Sequence, residues 1–195
     1  MPIRDSLASL ARISRLLVLS YSALLWCQGP GTRPTGGPLY LLFDESRSEW
    51  CGYRDIAEWT RHSRIAVSTI LVIIRSPDAP GEIGVQQRTP TGDWIVDDRY
   101  TIDRASNLTG LTRMLVYFSE DARKESVYRI AGGRAALVSS AATSLATGAR
   151  LALPPAIDQY DDWPVITDIK KFPFSFFLST WTKHNTVSGY CRRDS

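Results

Sequence analysis

Between Glu82 and Ser139 strand-length segments succeed one another with a turn signal at each junction, and this rhythm constrains the fold more than any other feature. Residues 83–88 lead into Pro90-Thr91-Gly92-Asp93. The next segment, 94–102, places Trp94, Val96, Tyr100 and Ile102 on one face and Asp97, Arg99 and Thr101 on the other, the period of two that marks a strand with one buried side. A polar stretch at 103–110 precedes a strand at 111–118. A charged link at 120–125 precedes another at 126–131, and Gly132-Gly133 reads as a tight hairpin into 135–139. Such a succession predicts an antiparallel meander. The run 139–149, built of Ala, Ser, Thr, Leu and Gly, has no period that assigns it a conformation.

Upstream of the meander, residues 39–43 form a short apolar segment and 53–62 read as a helix, with Tyr53, Ile56, Ala57 and Thr60 on one side. Residues 65–74 are apolar on both alternating faces and rich in Val and Ile, as expected of a central strand covered on both sides. The turn at 76–81 carries two prolines and a glycine, and Pro154-Pro155 breaks the chain before an aromatic-rich tail. The predicted fold is therefore α+β: one curved antiparallel sheet packed with one main helix. An antiparallel β-barrel is the alternative closure. At 195 residues with 44% hydrophobic side chains, the chain is long enough to bury a core without cross-links.

The first 27 residues read as an export signal. Arg4, Arg12 and Arg15 precede the apolar run 16–26, which is shorter than the roughly 20 residues that span a bilayer. An amphipathic first helix is the other reading of this stretch, since Leu7, Leu10, Ile13 and Leu17 fall at helical spacing. A Gly/Pro-rich linker at 28–38 follows, leaving 39–195 as a single domain. Cys27 sits where a lipoprotein junction would place its lipidated cysteine, although Trp26 before it is large for that role. Export or modification at Cys27 leaves Cys51 and Cys191 as an even pair, and in an oxidising compartment these are expected to form a disulfide.

The net charge of +3 does not point to nucleic acid. Three of the basic residues lie in the leader, and the rest are scattered among nearly equal acidic ones, whereas phosphate binding needs them gathered on one face. No phosphate-binding glycine loop, His-Glu-x-x-His, Cys-x-x-Cys or Gly-x-Ser-x-Gly occurs, and with only His62 and His184 no metal or other cofactor is expected. Asp97 and Asp98 fall on opposite faces of their strand and read as solvated carboxylates rather than an acid pair. Asp158, Asp161 and Asp162 lack the spacing of a calcium loop. Asn107-Leu108-Thr109 fits a glycosylation sequon. Two features could carry function. Cys51 as a thiolate with His62 or His184 as base would make a thiol enzyme or small hydrolase. The aromatic tail, with Phe172, Phe174, Phe176, Phe177 and Trp181, would make a binding patch or else a last strand closing the core. The leading expectation is an exported, non-catalytic envelope or periplasmic protein that binds a protein partner, in the manner of an inhibitor or immunity protein. It would touch a membrane only through an N-terminal anchor. A structural cell-surface component is the third class.

Overall fold

The computed structural model describes residues 38–63, 71–74, 81–89, 91–152, 163–180 and 189–193. The leader with Cys27, the linker up to Gly37, Trp181, His184 and the three aspartates at 158–162 lie outside these. The described residues form ten strands: β1 (Leu39–Asp44), β2 (Glu49–Tyr53), β3 (Leu71–Ile74), β4 (Gly81–Arg88), β5 (Trp94–Ile102), β6 (Leu108–Tyr117), β7 (Ala122–Ala131), β8 (Arg134–Ser144), β9 (Arg150–Leu151) and β10 (Tyr190–Arg193). Every pairing is antiparallel, in the order β10-β2-β1-β3-β4-β5-β6-β7-β8-β9. The expected meander is present as β4 to β8, and β9, which the sequence did not indicate, adds to its end. Its Gly132-Gly133 turn has both residues at positive φ, 57° and 73°, the mirror-image turn whose twist matches that of the strands.

Strand accounts for 55% of the described residues and helix for 13%, so the molecule is more nearly all-β than the sequence suggests. The terminal strands β9 and β10 are not paired with each other among the described residues, and the sheet does not close into a barrel. Two short helices are present, α1 (Ile56–Ser63) and α2 (Ser175–Thr180). Helix α1 begins three residues later than the spacing predicts. Tyr53 belongs to β2, and Asp55 caps the helix: its carboxylate accepts from Ala57 N at 2.6 Å and its carbonyl from Trp59 N at 2.9 Å. Of the predicted central strand, the described part is β3, which lies between β1 and β4. Two further boundaries shift. The charged link at 120–125 is mostly strand, since its exposed residues occupy the polar face of β7, and β8 continues through the unassigned run as far as Ser144.

The strands β1 and β2 are covered on both faces. On one, Leu39, Leu41 and Trp50 join Ile83, Tyr100, Leu108, Leu111 and Ile130 in the main core, which Phe172, Phe174 and Phe177 of the C-terminal segment close. On the other, Tyr40, Leu42, Cys51 and Tyr53 pack with Trp59 of α1 and with Cys191. The indole of Trp59 donates to Leu41 O at 3.0 Å, which holds α1 against β1. The main core is thus covered by the segment 163–178 rather than by α1. In the meander only the face beneath that segment is buried. Its cross-strand rows run Ile83–Tyr100–Leu111–Tyr128 and Val85–Asp98–Arg113–Ser126–Ser140.

Candidate functional site

Cys51 and Cys191 form the expected disulfide, with an S–S distance of 2.04 Å. They face each other in register on β2 and β10, with Cα atoms 4.0 Å apart. The bond ties β10 to the sheet, and a disulfide of this kind suggests an oxidising, non-cytoplasmic compartment. It also removes the proposed nucleophile, because a disulfide-bonded Cys51 has no thiolate to offer. His62 is exposed at the end of α1 and stacks on Tyr53, ring centroids 5.0 Å apart.

The described part of the aromatic tail does not form the exposed patch considered from sequence. Phe172, Phe174 and Phe177 are each 2% exposed and belong to the core. Phe176 is half-buried, with the Arg192 guanidinium 3.6 Å from its ring centroid. Nor is the tail a closing strand. Asp168 caps a 3-10 turn at Ile169–Lys171, accepting from Lys170 N, and α2 starts after Pro173. The spacing of Phe172, Phe174 and Phe176 looks like strand alternation. The turn before Pro173 and the helix after it instead direct Phe172, Phe174 and Phe177 onto the core.

Asp97 and Asp98 do take opposite faces, but Asp98 is buried rather than solvated. Arg113 donates to it twice, Nε to Oδ1 at 2.8 Å and Nη2 to Oδ2 at 2.7 Å, and its Nη1 donates to Trp163 O at 2.9 Å. Burial alone would weaken the charge on Arg113. The hydrogen bonds and charge of Asp98 outweigh that, and the guanidinium is held above its ordinary pKa. Tyr100, one pair along the same strand, accepts from Ile166 N at 3.4 Å. Its phenol is pushed up to about 12, first by burial and then by the neighbouring Asp98 carboxylate. Each of the three guanidinium nitrogens donates a hydrogen bond, so this cluster fastens the segment 163–166 to the sheet rather than presenting a reactive group.

No group of three His, Cys, Asp or Glu side chains among the described residues is arranged to hold a metal ion. No described helix is long and apolar enough to cross a membrane. Asn107 is exposed in the β5–β6 loop, where Asp103 accepts from its backbone N and from its Nδ2 at 2.8 and 3.1 Å.

The surface that stands out is the outer edge of β8. Strand β9 pairs only with Ala142 and Thr143, so the backbone row at 134–141 has no strand beside it among the described residues. Leu137 and Val138, 58% and 60% exposed, lie at its centre. The register against β7 shifts there: Val127 opposes Ser139 and Tyr128 opposes Leu137, leaving Val138 as the bulged residue. No charged side chain occurs from 135 to 149. Natural edge strands carry lysines, prolines or inward charges that discourage pairing with other chains; β8 has only the bulge. The missed signal was in the sequence, as a fifteen-residue stretch without charge, but nothing in that stretch marked it as an edge. No family model matches the chain, and no curated protein or solved structure is similar to it.

Proposed function

We propose that this chain is an exported binding protein, without catalytic activity, that engages a protein partner through the outer edge of β8, an inhibitor- or immunity-like role. The observation that carries this reading is the uncharged stretch 135–141 of β8, which has no strand along its outer side among the described residues and exposes Leu137 and Val138 at its middle. An edge of this kind accepts an extended segment of another chain by main-chain hydrogen bonding, with side chains setting the preference. The Cys51–Cys191 disulfide supports export, since such a bond persists outside reducing compartments. The basic, apolar leader is the second support.

The test is a photo-crosslinking amino acid at Leu137 in the cells that make the protein, with the same probe at the exposed Arg104 as control. Protein adducts from position 137 and not from 104 are the expected result. Absence of any protein adduct from 137 overturns the assignment of the edge. A processed chain lacking its leader, recovered outside the cytoplasm, is the expected result for export; a full-length chain retained in the cytoplasm overturns it.

A further inference from the structure

We infer that Asn107 carries an N-linked oligosaccharide, added during export and before the β5–β6 hairpin folds. The inference rests on the export half of the reading above and is independent of the β8 edge. Asn107-Leu108-Thr109 is the one Asn-x-Ser/Thr triplet in the sequence. A triplet that carries a glycan has to end on the surface of an exported chain, because the sugar is bulky and hydrated. The fold meets the first condition. Asn107 is exposed at the close of the loop between β5 and β6, and Thr109 is exposed two residues on. The Cys51–Cys191 disulfide and the basic, apolar leader support the second.

The loop keeps its bonds with a sugar attached. Asp103 Oδ1 accepts from Ala105 N at 2.9 Å and from Asn107 N at 2.8 Å, and Asp103 N donates to Asn107 O at 3.0 Å. None of these uses the side-chain amide of Asn107. Its Nδ2 donates one hydrogen to Asp103 Oδ2 at 3.1 Å and has a second to exchange for the sugar. The order of events follows from the rest of the triplet. Leu108 is 5% exposed in the main core, and the Thr109 hydroxyl lies 3.0 Å from that of Thr101 on β5. Once the hairpin has formed, an enzyme cannot grip the triplet without drawing Leu108 out of the core, so transfer precedes folding. In that step Nδ2 bonds to the anomeric carbon of an oligosaccharide carried on a lipid pyrophosphate. The bond from that carbon to the pyrophosphate oxygen breaks, the lipid pyrophosphate leaves with the electron pair, and one amide proton passes to a base. Nothing is oxidised or reduced.

The test is the intact mass of the processed protein, recovered outside the cytoplasm of the cells that make it, before and after peptide-N-glycosidase. The expected result is a mass above that of the polypeptide, removed by the glycosidase with the change Asn107→Asp in the tryptic peptide 105–113. Asn107→Gln and Thr109→Ala should each abolish the excess, whereas Thr109→Ser keeps the triplet and should retain it. The refolded, unmodified chain, offered the transferase and its lipid-linked donor, should gain no sugar, while a synthetic peptide spanning 101–113 should gain it. Equal transfer to both overturns the order of events. A processed, exported chain at the bare polypeptide mass overturns the inference and leaves export standing, and so does an excess that persists in Asn107→Gln. A full-length chain retained in the cytoplasm overturns both.

Discussion

Arg113 and Asp98 form an ion pair that lies almost entirely out of water, with side-chain exposures of 6% and 11%. Desolvating two charges is repaid only by close geometry and by further hydrogen bonds, here supplied by two contacts to Asp98 and one to Trp163 O. Asp98→Asn leaves the guanidinium buried without its counter-charge, and urea denaturation should show a loss of about 3–5 kcal/mol. The double variant Asp98→Leu/Arg113→Met should be less destabilised than Asp98→Asn alone, since it removes both charges together. Tyr100 governs the alkaline limit. Its folded pKa of about 12 lies above the roughly 10 of an unfolded tyrosine, so the folded state holds the proton more tightly. That contribution is complete below pH 10 and is lost as the pH rises toward 12, roughly 2–3 kcal/mol in all. Burial raises Tyr40 and Tyr53 in the same direction. A pH series of melting curves should therefore fall steeply above pH 10, and Tyr100→Phe should make that fall shallower while lowering stability near neutrality through the lost bond from Ile166 N.

Among the elements, β10 depends most on a single bond. It is four residues long, pairs with β2 alone among the described residues, and carries Cys191 opposite Cys51. The two cysteines are 140 positions apart, a separation for which the chain-entropy account gives roughly 4–5 kcal/mol. Cys191→Ser should lower the unfolding free energy by about 2–5 kcal/mol. Amides of 190–193 should exchange faster in that variant, ahead of those in the meander. Helix α2 depends instead on a close approach to the sheet. A Cβ built on Gly52 would lie 3.0 Å from Phe177 Cε1 and 3.4 Å from Leu39 Cδ1. Gly52→Val should accordingly displace the Phe177 ring and cost about 1–3 kcal/mol by thermal or urea unfolding, a penalty of overfilling rather than of backbone conformation.

At the scale of the whole molecule, the open sheet is the dominant fact. A barrel would hide its edges; this sheet ends at β10, fastened by the disulfide, and at β8, only partly covered by β9. The two ends are therefore held differently. The meander was legible where a strand alternates and a turn residue marks its end, as in 94–102 followed by 103–107. The candidate site was not legible in the same way. Residues 135–139 had the composition of any strand, and whether a strand is central or at an edge depends on what lies beside it, which no local pattern records. The same limit explains the aromatic tail. Phe172, Phe174 and Phe176 repeat every second residue in either a strand or a turn-and-helix, and only packing against Trp50, Tyr100 and Gly52 distinguishes them.

Local chemistry by itself determined the strands of the meander, the Gly132-Gly133 hairpin, the opposite facing of Asp97 and Asp98, and the pairing of the two cysteines left in the body of the chain. Each follows from side-chain alternation, backbone freedom or a count of thiols, properties that act over a few residues or on composition alone. Tertiary structure decided the rest. It buried Asp98 by bringing Arg113 and Trp163 to it, turned Phe172, Phe174 and Phe177 inward, and left the outer side of β8 from 134 to 141 without a neighbouring strand among the described residues. Those outcomes depend on which distant segments meet, and their free energies come from contacts between residues tens of positions apart.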